Sequence, residues 1–502
     1  MKKFYIYNTM SSLMLQAVTI ICGFILPRLI LMSYGSEVNG LIQSISQFLG
    51  IVTFLEMGVG QVVQSSLYAP IAENNHKKIS VIIKSAELFF NKIAKFLFIY
   101  IAFLLVFYPF VANSIFDRLY IVTLIIVIAL SLFAQYYYGI IDNLLLNADQ
   151  KVYIQNISQI LSVILNTCIC VFLMKNNFGI HIVKLATSFI YVIRPLLVRF
   201  YVNKNYKIDR KIKYEVEPIT QKWNGVAQHI SGFVLAGTDN IVLTLFSTLQ
   251  NVSIYSVYYM IIYGVFQIYQ AMMGGINSLV GTLLAKKEKD TLYNIFSMIE
   301  VCFHFIAVYL YSCTRVLIIP FITVYTDGIT DINYVQPVFA TLIILAYFFQ
   351  CIKSIYNCLI LAGSHYRETQ KCHINSAIIN LLISIIMVRS YGLIGIALGT
   401  LISMAYQTIW MAWYNSKNFI YWPFANFIKQ ILIDVITACI IIFSTSWITL
   451  QAKTYLAWTF MAFKIAIIAG IIVIIVAYCA YPDRMKKIFF IIKEKLNKNS
   501  SL

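Results

Sequence analysis

The sequence predicts an all-α polytopic membrane protein of about fourteen transmembrane helices. Three observations lead there. Of 502 residues, 60% are hydrophobic and only 12% charged, with a mean hydropathy of +0.79, whereas a water-facing surface needs about a quarter of its residues charged. Apolar runs of about 20 residues, the length that crosses a bilayer core, recur along nearly the whole chain. Lys and Arg gather on alternate loops, as the positive-inside rule requires. That rule and an anionic lipid surface account for the net charge of +18, so the expected partner is the lipid bilayer and not nucleic acid.

The first two spans, 10–33 and 38–66, meet at a tight Gly35-Ser36 turn, and each carries a charge. Arg28 follows Pro27, and Glu56 precedes Gly58 and Gly60. An ionisable group at membrane depth costs about 2.5–3.5 kcal/mol and so faces a partner or a watery cavity. Pro27 frees a carbonyl one turn back, which is tolerated where a helix lines protein or water. Two readings follow: an Arg28–Glu56 clamp between helices, or both groups in a cavity that handles a charged cargo. The first apolar run continues without a small-residue cleavage site, so no cleaved leader is expected.

Further spans are expected at 92–112, 118–141, 152–174, 180–202, 224–247, 254–284, 292–324, 337–361, 374–390, 392–415, 429–449 and 458–480. Lys2, Lys77, Lys151, Lys204, Arg210, Lys286, Arg367, Lys417 and the Lys486–Lys498 tail fall on one side. The other side holds little beyond Arg118, Lys175, Arg389 and Lys453. Both termini are therefore expected in the cytoplasm, with an even number of spans.

The polar stretch Asn203–Gln221 divides two halves that echo one another. Gln150-Lys151 matches Gln370-Lys371, Phe178-Gly179-Ile180 matches Tyr391-Gly392-Leu393, and Val38 matches Val252. The expected organisation is a six-helix lobe (1–203), a basic cytoplasmic linker (204–221), a second six-helix lobe (222–416), and two accessory helices with a basic tail (417–502). Such parallel repeats imply a pseudo-twofold axis along the membrane normal and a cavity between the lobes.

On that register Arg28 falls opposite Asp239-Asn240, read as mid-helix. Other charges within spans are Arg194 (before Pro195), Glu300, Arg315, Lys353, Asp434 and Lys464. Arg315 and Lys464 suit snorkelling to an interface. His229 and His304 read as satisfied core histidines, with proton uptake the alternative. Gln267, Gln270, Gly274, Gly275 and Asn277 form a polar, small-residue face suited to close helix approach or a hydroxyl-rich ligand. Tyr136-Tyr137-Tyr138 reads as an interfacial aromatic belt. The ten cysteines read as small hydrophobes, and no metal or cofactor is expected. No Walker A loop, zinc spacing or nucleophile elbow is present, so an enzyme is not expected and ATP is not the direct drive. What remains is transport powered by an ion gradient or the membrane potential.

Several stretches carry a family resemblance: Ile25-Leu26-Pro27-Arg28-Leu29-Ile30, Tyr34-Gly35-Ser36-Glu37-Val38-Asn39-Gly40-Leu41, Ser46-Gln47-Phe48-Leu49 and Glu56-Met57-Gly58-Val59-Gly60. Phe133–Tyr137, Leu145–Lys151 and Thr238-Asp239-Asn240 add to them. Together they resemble bacterial Wzx-type polysaccharide (O-antigen or capsule) flippases of the multidrug/oligosaccharidyl-lipid/polysaccharide (MOP) exporter superfamily, over essentially the whole chain. The resemblance implies a V-shaped, MATE/MurJ-like fold in the cytoplasmic (inner) membrane. It also implies a cargo of undecaprenyl-pyrophosphate-linked oligosaccharide, flipped to the outer leaflet by alternating access for cell-surface polysaccharide biosynthesis. A polysaccharide polymerase and glycosyltransferases would be partner enzymes. Arg28, Arg194 and Lys353 would bind the pyrophosphate, with Gln267, Gln270, Asn277 and Asn240 lining the cavity. Glu56 and Asp239 would hold those cations or a counter-ion, proton or sodium. A drug antiporter of the same superfamily and a membrane glycan polymerase or ligase are the alternatives. Cationic Arg28 and Lys353 argue against the first, and the lack of a large external loop against the second.

Overall fold

The computed structural model describes residues 2–112, 116–219, 237–285, 289–363, 365–419 and 423–486; the side chains of Glu56 and Asn277 lie outside the described residues, as does His229. Among the described residues there is no strand. The helices are α1 (Lys2–Gly50), α2 (Thr53–Ala72), α3 (His76–Val111), α4 (Arg118–Ala134), α5 (Ile140–Ala148), α6 (Val152–Lys175), α7 (Ile180–Asn205), α8 (Asp239–Phe246), α9 (Leu249–Ala285), α10 (Lys289–Tyr325), α11 (Pro337–Ala362), α12 (Tyr366–Tyr391), α13 (Leu393–Asn418), α14 (Phe424–Thr445) and α15 (Tyr455–Ala480). Eleven of the described helices are long and apolar enough to cross a membrane. The chain is an integral, multi-pass membrane protein with the all-α architecture that its sequence predicts.

Three expected spans are built differently from a plain helix. The span 38–66 continues out of α1 through Gly35, whose φ of 82° and ψ of 174° interrupt the helix; only glycine takes that conformation without strain. The span 118–141 runs on to Ala148, with α4 and α5 joined by a π-helical turn, Gln135–Gly139. The span 224–247 is described only from residue 237, and it bends there. Residue 237 is helical, Thr238 is a bend, and Asp239 and Asn240 lie in the first turn of α8 just after it. A carboxylate is favoured at that end by the helix dipole.

Backbone packing divides the chain into two units, Met1–Ser256 and Val257–Leu502. In the first, α1 lies along α6, and α7 packs on both α6 and α4. One core gathers Leu41, Ile45, Leu49 and Leu124, and another Ile83, Phe90, Leu97 and Leu145. Within it Gly40 allows a very close approach, because a Cβ there would lie 1.8 Å from the Leu249 carbonyl oxygen. In the second unit α13 packs on α11 and α12, and α10 on α11, α14 and α15. Large apolar side chains such as Phe98, Phe103, Phe110, Phe443 and Phe463 face outward, while Asn156, Asn166, Asn380 and Ser384 are buried. That distribution suits lipid as solvent, where helices associate through small and polar residues.

The polar stretch after α7 is tied to the first unit. Arg210 pairs with Glu87 of α3 and with Asp142 of α5. The Asp209 amide donates to Ser80 Oγ (3.0 Å), and Ser85 Oγ donates to Glu217.

Candidate functional site

In the first unit the site is organised by Pro195. It places the Arg194–Pro195 turn of α7 against the π-helical turn, where a Cβ on Gly139 would lie 2.9 Å from Pro195 Cβ. The π turn shifts the register of the helix and brings Gln135 and Asn143 to the same side as Ser131. These three, with Tyr191 and Arg194, line a cavity of about 250 Å³. Arg194 Nη2 donates to Gln159 Oε1 of α6 at 3.0 Å. Asn143 Oδ1 is buried without a hydrogen-bond partner.

In the second unit a polar ridge crosses four helices. Lys353 Nζ of α11 donates to Gln407 Oε1 of α13 at 3.1 Å, and Gln407 Nε2 donates to His373 Nδ1 of α12 at 2.7 Å. Gln270 Nε2 of α9 donates to Ser354 Oγ at 2.7 Å. The two units thus share one feature: a cation at membrane depth bonded to a neutral amide. Among the described residues, neither Arg194 nor Lys353 contacts a carboxylate. A cation held that way has remaining donors free to meet an anion.

The other expected residues are placed as follows. Arg28 is half-buried in α1, and Gln267 is half-buried in α9. Asp239 is buried and accepts from Tyr255 Oη at 2.7 Å. Asn240 is half-buried, with its Oδ1 unpaired. Around α8, Ser44 and Thr244 share a 2.6 Å hydroxyl bond, Tyr108 Oη donates to Ser44, and Asn39 Nδ2 donates to Ser253 Oγ at 2.7 Å. Lys464 is exposed on α15. His304, read alone from the sequence, is bonded to Asp434. Sequence reasoning missed Gln135, Asn143, Gln159, His373 and Gln407. The signal was available, since a glutamine or asparagine inside an apolar span must find a polar partner.

Outside the spans, burial disfavours the Arg210 charge, yet Asp142 and Glu87 outweigh it and push its pKa up.

No protein-family model matches the chain, and no curated protein matches it in sequence. Solved structures do match. The lipid II flippase MurJ in an inward closed conformation is similar over 96% of this chain and 100% of its own, with a TM-score of 0.72 at 15% identity. The fold is that of MurJ and the MATE transporters. An inward-facing multidrug resistance MATE transporter of the MOP superfamily matches over 80% of this chain and 94% of its own (TM-score 0.61, 15% identity). An outward-facing one matches over 83% and 96% (TM-score 0.56, 13% identity). All three neighbours carry names of transport proteins, and the MurJ-like fold agrees with the fold expected from the residues around Arg28 and Asp239.

Proposed function

We propose that this protein is a flippase that moves an undecaprenyl-pyrophosphate-linked oligosaccharide from the inner to the outer leaflet of the cytoplasmic membrane. The observation that carries this reading is the pair of cation–amide contacts, Arg194–Gln159 and Lys353–Gln407. A pyrophosphate is dianionic or more and takes charge-assisted hydrogen bonds from such groups. Gln135, Asn143, Gln267 and Gln270 supply the neutral donors and acceptors that a sugar needs, and the polyprenyl tail stays in lipid. Arg28 joins the cations, and Glu56 and Asp239 hold them or a counter-ion when no cargo is bound. The two units act as the lobes of an alternating-access transporter, with both termini cytoplasmic.

Depletion of the protein in living cells tests this directly. Lipid-linked glycan should accumulate on the inner leaflet while its synthesis continues. Loss of synthesis itself would sink the flippase reading in favour of an enzyme. The second reading is a drug antiporter, favoured by the MATE neighbours and by buried Asp239. It predicts ion-coupled efflux of organic cations from proteoliposomes and no change in glycan distribution.

A further inference from the structure

A separate polar cluster lies in the second unit, built from titratable side chains that the cargo reading leaves unused. Glu300 and His304 stand one turn apart on α10, Tyr356 comes from α11, and Gln430 and Asp434 stand one turn apart on α14. His304 Nδ1 lies 2.6 Å from Asp434 Oδ2, and the two side chains are 0% and 1% exposed. Gln430 Nε2 donates to Asp434 Oδ1 at 2.9 Å. On the far side of the ring, His304 Nε2 is 3.5 Å from Tyr356 Oη, which donates to Glu300 Oε1 at 2.6 Å. Phe427 packs edge-on against both the imidazole and the phenol. The result is a continuous polar chain from one carboxyl group to another through a histidine and a tyrosine.

Other ionisable groups face it. Tyr269 from α9 lies within electrostatic reach of Asp434, and Tyr481 after α15 within reach of Glu300 and Asp434. Arg484 donates to the Ser297 carbonyl, one turn before Glu300. Arg315 lines a cavity of about 130 Å³ together with Ser312, Thr341 and Asp434. Arginine is always charged, and a phenol stays neutral except in strong base. Histidine is the side chain that changes charge in the physiological range.

Stability alone does not require this arrangement. Replacing a buried ion pair with well-packed apolar residues is often neutral or stabilising. With a neutral His304, Asp434 is a carboxylate buried on hydrogen bonds alone, whereas with a protonated His304 the pair has no net charge. Taking up one proton therefore changes the charge of the unit's interior.

We propose that the His304–Asp434 pair is a proton-binding site, beside the cavity that Asp434 lines together with Ser312, Arg315 and Thr341. Most of the cavity wall is apolar, with Ser312, Arg315, Thr341 and Asp434 among its few polar groups. A proton delivered there ends on the ring nitrogen that lacks one, leaving an imidazolium bonded to the Asp434 carboxylate. It leaves the way it came, or forward: Nε2 gives its proton to Tyr356 Oη as the phenol's own proton passes to Glu300. Proton binding stands independently of the cargo. Its use to drive transport rests on the transporter reading above.

The test measures proton uptake by the full chain in nanodiscs, using a pH-sensitive dye and acid jumps between about pH 8 and pH 5. The wild type should take up about one proton per chain more than His304→Gln. The double variant His304→Gln/Asp434→Asn, whose two amides preserve a hydrogen bond without charge, should show the same deficit. Uptake by the folded double variant equal to that of the wild type would overturn the proposal, even if His304→Gln alone fails to fold. Normal proton uptake with no effect of a pH gradient on glycan export would leave the proton site standing and remove its role in transport.

Discussion

Arg210 Nη2 of the polar stretch after α7 lies 2.5 Å from Asp142 Oδ1 of α5, and the Asp142 side chain is fully buried. The basic stretch between the halves is therefore clasped to the first unit, with Glu87 as the second partner of the same guanidinium. The clasp holds α5, the helix that follows the π turn, and so one end of the element that shapes the Arg194 cavity.

Removing Arg210 strands a buried carboxylate. Arg210→Gln should lower the stability of the protein by about 3–5 kcal/mol, and adding Asp142→Asn should recover most of the loss. Thermal unfolding of the purified single and double variants measures both. An Arg210→Gln protein as stable as the wild type would show that the ion pair contributes nothing.

The membrane class and nearly all spans were legible because about 20 apolar residues in a row leave few structural choices. Gly179 and Gly392, matched in sequence, each stand immediately before a helix, α7 and α13. The site was legible only in part. Arg194 and Lys353 stood out as charges in apolar runs, but their amide partners lie 35 and 54 residues away, and no local pattern pairs them. The π turn depends on packing against Pro195, which periodicity does not record. His304 and Asp434 were each visible, yet 130 residues separate them, and only the packing of α10 against α14 joins them.

Gly40 should be intolerant of any side chain. A Cβ at this position would lie 1.8 Å from a backbone oxygen of Leu249, which cannot swing aside as a side-chain tip can. Gly40→Ala should cost about 1–3 kcal/mol or more through forced separation of α1 and α9. Gly139→Ala meets a ring carbon at 2.9 Å and should cost less, while narrowing the Arg194 cavity. Unfolding temperatures of the two variants rank them, and an equal loss would contradict the difference in contact.

Topology is open to a direct measurement. On the proposed topology, residues near Lys211 are cytoplasmic and those near Asp331 are outside. Cysteines introduced after each should react with a membrane-impermeant reagent in intact cells only at the second site. Labelling of both, or of neither, would break the proposed arrangement of spans and termini.

The two cation–amide pairs allow a sharper test than deletion. Gln159→Glu would set a carboxylate where Arg194 now meets an amide 3.0 Å away, and Gln407→Glu would do the same for Lys353 at 3.1 Å. Each change turns a neutral contact into an ion pair without removing the cation or emptying its space. If the cations serve only packing, the new pairs should leave stability level or raised and export intact. If they hold pyrophosphate, the carboxylate competes with cargo for the same donors. Loss of one charge-assisted contact, about 1.5–3 kcal/mol, corresponds to about a ten- to hundredfold fall in export. Arg194→Lys separates charge from shape, because lysine keeps the charge and loses the planar fork that grips two oxygens. The expected pattern is normal insertion and thermal stability for Gln159→Glu and Gln407→Glu, with glycan export strongly reduced in both. Stable variants that export normally would take Arg194 and Lys353 out of the cargo site and leave Arg28 as the cation to test.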